Sequence, residues 1–263
     1  MYLGLCKAWY LVHTHSQIFH FSTAEQHRDE ITFCAVCLGT KFDMRFARDM
    51  WLGNTDVAPG QMHRFTLDLG KRTCEGEIAD RANVEFPTVH PYRHGLVGGR
   101  YSYLMASDRK GQYLPYRDVV KVRGSYTHTH THTHTHTCTR AHTHTHTQRS
   151  GFDCIHIPRT CMQFDAKGQS RQVWYSHGCI GEAVFVPRLG WKAATKGEED
   201  DGYVITQLYI PDKHVTEFVV LNAKDLESGP IARVCLKHHI PYGFHGNFTP
   251  EVFLTGPTLP SKL

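Results

Sequence analysis

The sequence lacks any run of 18 apolar residues, so we expect no membrane-spanning helix. It also lacks a basic block, because its lysine and arginine residues are scattered and its formal net charge is only +4. We therefore expect no nucleic-acid partner. No stretch of a dozen residues sustains an apolar period of 3.6 residues, which argues against long amphipathic helices.

Cysteine is plentiful, with nine residues, but their positions do not suggest a disulfide framework. The apolar N-terminal stretch lacks the basic start and the cleavage site of a secretory signal. We therefore expect reduced thiols in an intracellular protein, of the cytoplasm or a plastid. Cys34 and Cys37 have the spacing of metal or redox pairs, but they lie in the apolar run Ile31–Leu38. That run favours a buried strand, and a zinc site would need a second such pair.

The chain does contain many short runs rich in Val, Ile, Phe, Tyr and Thr, separated by turn residues. Such runs are typical of β-strands. The predicted strands are Glu30–Leu38, His63–Leu69, Arg100–Ala106, Gln172–Tyr175, Ala183–Val186, Tyr203–Ile210, Glu217–Asn222 and Ile231–Leu236. A hairpin turning at Lys167 and Gly168 is also predicted, together with a long turn over Leu221–Pro230. The pattern indicates an all-β, mainly antiparallel protein: a barrel, a sandwich or a propeller.

One segment does not fit the β pattern, because residues 127–147 alternate His and Thr and hold 8 of the 21 histidines. Three interpretations stay open. In an extended chain the alternation would put the histidines on one face, which could collect Zn²⁺, Ni²⁺ or Cu²⁺. The segment could instead be a solvated, disordered insertion without a specific role. It could also be the translation of a CA dinucleotide repeat, which encodes alternating His and Thr.

Glu85 is a carboxylate in apolar surroundings, within the segment Val84–Pro87. Burying an unpaired carboxylate is costly, so we expect Glu85 to have a partner. A structural ion pair with Arg81 or Arg100 is the simplest arrangement that would satisfy it.

Motifs near the C-terminus carry the strongest signal. Pro-Tyr-Gly-Phe-His-Gly-Asn-Phe occupies Pro241–Phe248, and Gly-Glu-Ala-Val-Phe-Val-Pro-Arg occupies Gly181–Arg188 ahead of the acidic segment Glu198–Tyr203. Together with Ile18–Glu25 and Val84–Pro87, and in this order, they resemble the carotenoid cleavage oxygenase family. These are non-haem iron enzymes that split polyene double bonds with oxygen. The resemblance extends from about residue 18 to residue 248 and corresponds to the C-terminal half of a family member.

The resemblance implies a metal site. In the family four histidines hold Fe²⁺, and two of them match His20 and His245 here. The resemblance also implies that Glu85 accepts a hydrogen bond from His20 and that Glu182 orients His245. Such a carboxylate fixes the tautomer and the ring angle of a metal-binding imidazole. The sequence departs from the family near His20, where Thr and Glu stand in place of the usual Asn and aromatic residue.

The resemblance implies an architecture as well: the C-terminal part of a seven-bladed β-propeller, incomplete here, with a disordered His-Thr insertion. Propeller blades would occupy residues 1–126 and 150–263, with residues 1–17 the least defined part. The insertion would occupy residues 127–149. Because the family's first two histidine ligands have no counterpart, we expect a truncated copy that binds iron weakly.

The activity implied by the resemblance is addition of O₂ across one C=C bond of a carotenoid or apocarotenoid, giving two carbonyl products. No acid or base residue is required. Because the substrates dissolve in lipid, peripheral contact with a membrane surface is also compatible with the resemblance. Two alternatives stay open: a non-catalytic polyene-binding fragment, and a His-rich metal-binding protein that acts through the tract.

Overall fold

The computed structural model describes residues 17–38, 60–80, 82–93, 99–107, 116–123, 171–191 and 198–249. The strands within these ranges are β1 Gln17–His27, β2 Glu30–Leu38, β3 Gln61–Asp68, β4 Thr73–Asp80, β5 Asn83–Thr88, β6 Tyr101–Ser107, β7 Asp118–Arg123, β8 Arg171–Tyr175, β9 Cys179–Ile180, β10 Val184–Pro187, β11 Gly202–Ile210, β12 Val215–Asn222 and β13 Asp225–Cys235. A 3₁₀ turn, Pro211–Lys213, joins β11 to β12. None of the described segments forms a helix long and apolar enough to cross a membrane.

The strands form three antiparallel sheets, which confirms the all-β prediction. Sheet A has the order β1-β2-β3-β4 and sheet B the order β5-β6-β7-β8. Sheet C has the order β10-β11-β12-β13, and the short β9 pairs with β11. Each sheet therefore uses strands that follow one another in the sequence. Over the described ranges, none of the three closes on itself.

Two apolar cores hold the three sheets together in the order A, B, C. Side chains alternate across a strand, so β6 at the middle of the stack contributes to both cores. Leu104 and Ala106 pack toward sheet A, while Tyr103 and Met105 pack toward sheet C. Removing this apolar surface from water is the main term that stabilises the stack. This packing also places β1, which carries His20, against β5, which carries Glu85.

The Cys34 and Cys37 pair is part of buried strand β2, as the apolar run predicted. Residues three apart on a strand point to opposite faces. Cys34 packs in the core between sheets A and B, whereas Cys37 packs with Phe65 in a separate cluster on the other face. The two thiols cannot chelate one ion in this arrangement, so the metal or redox interpretation is wrong.

The predicted long turn over Leu221–Pro230 is wrong. Strand β13 already begins at Asp225, which pairs with Asn222 across a two-residue turn. The Asn222 side-chain oxygen accepts the Lys224 N–H at 3.1 Å, the local hydrogen bond that favours asparagine in turns. The predicted hairpin at Lys167 and Gly168 lies outside the described residues, as does the His-Thr tract.

Candidate metal centre

The first half of the candidate site joins two sheets. His20 lies on β1 and Glu85 lies on β5, and the His20 Nδ1 is 2.7 Å from the Glu85 Oε2. Glu85 is only 4% exposed, so it lies in the low-polarity interior. The same oxygen accepts the backbone N–H of Phe86 at 2.7 Å. The carboxylate predicted to need a partner therefore has two, one on each of the strands that meet here.

The second half lies on the C-terminal segment that follows β13. His245 Nδ1 is 3.2 Å from Glu182 Oε1, and the Gly246 N–H donates to the other oxygen at 2.7 Å. Glu182 stands in the short connection between β9 and β10. The side chain of His245 is 58% exposed, so this pair is open to solvent on one side.

The structure brings these two pairs together. The His20 and His245 rings meet edge to face, with centroids 5.2 Å apart and an interplanar angle of 79°. If metal–nitrogen distances are about 2.1 Å, two imidazoles on one ion have centroids about 4.6 Å apart at a right angle and about 5.3 Å apart at a tetrahedral angle. The observed spacing fits two ligands of one ion.

The carboxylates determine which nitrogen each ring can offer. A neutral imidazole carries one proton, and a hydrogen bond from Nδ1 to a carboxylate keeps that proton on Nδ1. The Nε2 lone pairs of His20 and His245 are then available to a metal. Across the described ranges no group of three or more His, Cys, Asp or Glu side chains is arranged to hold an ion. This part of the chain thus offers two imidazole ligands.

Phe86 packs against both histidines, a role that nothing in the sequence revealed. Its ring centroid lies 4.8 Å from that of His20, 5.4 Å from that of His245 and 6.2 Å from that of Phe244. Its backbone is left-handed, with φ of 51°, a conformation that a bulky residue adopts at a cost in free energy. The adjacent proline disfavours helical φ and ψ at Phe86, but no sequence pattern indicated a left-handed residue.

The arginine partner considered for Glu85 is not observed. The backbone N–H of Arg100 donates to both oxygens of Glu199, at 2.9 and 2.8 Å, and the N–H of Tyr101 donates to one of them. Arg81 lies outside the described residues. Burial raises the pKa of Glu199, which lies in the acidic segment of the sequence. Glu199 fixes the start of β6 rather than the metal site.

Within the described part of the chain, the C-terminal segment borders a smaller and a larger cavity. The smaller, of about 180 Å³, is lined by Glu182, Phe244 and His245 among others. The larger, of about 660 Å³, is lined mainly by apolar side chains that include Phe185, Trp191 and Phe248. A volume of 660 Å³ lies within the usual range of small-molecule pockets.

Comparison with known proteins gives a consistent assignment. A family model described as "Retinal pigment epithelial membrane protein" matches residues 5–250. The apocarotenoid-15,15'-oxygenase of Synechocystis sp. is 29% identical over 232 residues, which make up 88% of this chain and 38% of that protein. The chromoplastic zeaxanthin 7,8(7',8')-cleavage dioxygenase of Crocus sativus is 45% identical over 78 residues, 29% of this chain and 21% of that protein.

Comparison with solved structures points to the same family. The crystal structure of the cobalt-substituted apocarotenoid oxygenase (ACO) of Synechocystis superposes on this chain with a TM-score of 0.60 at 26% identity. The superposition covers 89% of this chain and 39% of the ACO chain. The chain therefore spans less than two-fifths of the length of the Synechocystis proteins that it matches.

Proposed function

The chain belongs to the carotenoid oxygenase family, and we propose that His20 and His245 are two ligands of a catalytic Fe²⁺. The observation that carries this proposal is the pair of imidazoles held 5.2 Å apart, each with its Nδ1 on a carboxylate. The reaction proposed for the complete site is oxidative cleavage of a carotenoid or apocarotenoid, in which both atoms of O₂ end in two carbonyl products. Bound Fe²⁺ would supply the redox chemistry of that step.

The protein's own side chains have positioning roles in this proposal. Glu85 accepts the Nδ1 proton of His20, and Glu182 accepts that of His245. Each carboxylate raises the basicity of the Nε2 that faces the metal. Phe86 separates the two rings from the core and excludes water on that side. No side chain in this set has to give up or take up a proton, because cleavage of a C=C bond by O₂ requires no acid or base.

We further propose that sheets A, B and C are three consecutive blades of a β-propeller. The support is their sequential strand order, their face-to-face packing and the position of the site on first strands β1 and β5. In a propeller, the first strands of the blades line the central axis, where residues distant in sequence can meet. A full propeller would supply further ligands from other blades.

The larger cavity is a suitable place for part of a polyene substrate. Its lining is mostly apolar, and it shares the segment from Gly246 to Phe248 with the smaller cavity beside His245. An apolar chain entering it would lie next to Trp191 and Phe185. Burial of the polyene surface there would drive binding.

Metal binding tests the ligand roles. In anaerobic titrations with Co²⁺, the variants His20→Ala and His245→Ala should each weaken the same one binding component of the wild type, by at least tenfold. Glu85→Gln should weaken this component about 10- to 100-fold, since it removes the charged hydrogen-bond acceptor. His177→Ala, at an exposed turn, is the matched control. The His-Thr tract is present in every variant, so differences among them report the site. Equal affinities in all four variants would refute the ligand roles.

Cleavage and binding of substrate can be separated. The iron-loaded chain is mixed with an apocarotenoid, and the polyene absorbance, the oxygen consumption and the tryptophan fluorescence are followed. Loss of absorbance with one O₂ consumed per substrate supports the oxygenase. Quenching of fluorescence without turnover would instead favour the polyene-binding fragment. If neither signal appears while metal is bound at His20 and His245, the result contradicts a polyene substrate for this chain.

A further inference from the structure

Outside the candidate iron site, His214 and His239 form a second close pair of histidines. Their ring centroids are 4.3 Å apart and their planes are tilted by 42°. Both side chains are exposed and lie beside sheet C. His214 follows the 3₁₀ turn and His239 follows β13, so two separate segments supply the pair.

The spacing of this pair fits two ligands at a right angle. With metal–nitrogen distances of about 2.1 Å, two imidazoles on one ion have centroids about 4.6 Å apart at a right angle. The observed 4.3 Å is close to this value and is shorter than the tetrahedral spacing. Square-planar or tetragonal coordination, which places imidazoles at right angles, is typical of Cu²⁺ and Ni²⁺.

The hydroxyl of Tyr209 orients the His214 ring. The Tyr209 hydroxyl lies 2.8 Å from His214 Nδ1. When Nδ1 carries the proton and donates it to the phenol oxygen, Nε2 is left as a metal ligand, as in many histidine sites. The backbone of His214 is left-handed, with φ of 53°, and its N–H donates to Pro211 at 3.1 Å. The ring is therefore presented by a tight turn.

The second histidine is held by a buried threonine. Thr216 is fully buried, and its backbone N–H donates to the carbonyl of His238 at 3.1 Å. Its side-chain oxygen accepts the N–H of Ile240 at 2.9 Å. These two bonds bracket His239 and fix the segment that presents it. Fixed ligand positions lower the entropy cost of binding an ion.

We propose that His214 and His239 form a surface site for Cu²⁺ or Ni²⁺, with water completing the coordination. Two imidazoles are the protein's share, since no described cluster reaches three metal-binding side chains. The proposal does not depend on iron binding or carotenoid cleavage, because it uses neither His20 nor His245. It also differs from metal capture by the His-Thr tract, which lies between β7 and β8 in the sequence.

Residue-resolved histidine modification tests the site in the full chain. Diethyl pyrocarbonate modifies accessible imidazoles, and peptide mass spectrometry reports each histidine separately, including those of the tract. Increasing Ni²⁺ should protect His214 and His239 with the same midpoint. In the variant His239→Asn, the protection of His214 should be lost. The neighbouring change His238→Asn is the matched control and should leave the midpoint unchanged.

A third variant tests the role of the phenol. Tyr209→Phe should raise the Ni²⁺ midpoint at His214 and His239 about tenfold, since the orienting hydrogen bond is lost. Protection of His214 that persists in His239→Asn would overturn the shared site, as would full reactivity of both histidines in saturating Ni²⁺. His20 and His245 give their own peptides in the same experiment, so failure here is distinguishable from failure of the iron site.

Discussion

At the scale of single residues, the clearest consequence concerns His90, which is fully buried. Its ring lies 4.0 Å from that of Trp191 and 4.8 Å from that of Phe185, measured between centroids. The N–H of Tyr92 donates to His90 Nδ1 at 3.1 Å, which requires an unprotonated Nδ1. Burial, followed by the charge of Arg93, lowers the pKa of His90 from 6.5 to about 4.

This lowered pKa predicts a loss of stability in acid. The unfolded chain takes up a proton at His90 near pH 6.5, whereas the folded chain does so only near pH 4. The free energy of unfolding should therefore fall as the pH drops from 6.5 to 4, by up to about 3 kcal/mol from this residue. Urea unfolding at pH 7 and pH 4.5 measures the loss. His90→Asn should show a smaller loss, and an equal loss in both proteins would contradict the assignment.

Glu85 shows how far a single residue can be understood from sequence. Its apolar neighbours indicated a buried carboxylate with a partner, and the structure confirms both. The identity of the partner did not follow from those neighbours, because His20 lies 65 residues away on another sheet. Only the resemblance to a family proposed that pairing.

At the scale of secondary structure elements, β5 is irregular at the end that carries Glu85 and Phe86. Its register with β6 shifts between Glu85 and Thr88, and Phe86 has a φ of 51° within that shift. The irregularity turns the Phe86 ring toward the two histidines and lets its N–H reach Glu85. The strand therefore carries strain at the point where it serves the site.

This strain predicts an unusual order of stabilities. Phe86→Ala should cost about 3–5 kcal/mol of unfolding free energy through loss of the buried ring. Phe86→Gly should be more stable than Phe86→Ala by about 1 kcal/mol, because glycine adopts a positive φ freely. At the regular buried position Val84 the order should reverse, with Ala more stable than Gly. Chemical denaturation of the four variants checks both orders. If Ala is more stable than Gly at both positions, the backbone of Phe86 is not strained.

The predicted strands were accurate where apolar residues dominate, and several polar or irregular strands were missed. Strand β2 has the predicted bounds, and β11 and β12 differ by at most two residues at either end. Strand β4 was missed because it is an edge strand with no fully buried residue and few apolar residues. Strand β5 was missed because Pro87 is unfavourable in a strand. Strand β7 was missed because it contains Asp118 and Lys121, which are charged although the structure buries both.

At the scale of the whole molecule, Lys121 connects sheets B and C. Its ammonium group donates to Asp200 at 2.7 Å and to the Ala223 carbonyl at 2.9 Å, and it lies 4.2 Å from the centre of the Tyr101 ring. The residue is only 4% exposed. Burial lowers the pKa of Lys121, while Asp200 acts in the opposite direction. The acidic segment Glu198–Tyr203 therefore contains at least one residue, Asp200, that has a structural role between sheets B and C.

Removing this ammonium group should destabilise the stack. Lys121→Met leaves the Asp200 carboxylate without its partner and should cost about 3 kcal/mol of unfolding free energy. Adding Asp200→Asn should recover part of that loss. The exposed pair of Lys224 and Glu198 provides the control, because solvent screens it, and Lys224→Met should cost much less than Lys121→Met. Equal losses of unfolding free energy in Lys121→Met and Lys224→Met would show that the buried ion pair stabilises the protein no more than the exposed one.

The site itself is a property of the whole described chain. His20 lies on the first described strand and His245 follows the last, so the two meet only when sheets A, B and C are stacked in order. No local spacing in the sequence could reveal their separation. A metal ion shared by both would join distant parts of the chain, in the way that a long-range crosslink does.

Strands β7 and β8 pair directly, with Val122 opposite Arg171, although the His-Thr tract separates them in the sequence. The chain therefore leaves sheet B and returns to it at almost the same point. Closing a loop costs free energy that grows only with the logarithm of its length, about 0.6 kcal/mol per doubling. If the tract is encoded by a CA repeat, replication slippage could add or remove His-Thr units while the paired strands stay in register. On that interpretation, a change of three CA units, which is one His-Thr pair, keeps the reading frame and alters only the length of the connection between β7 and β8.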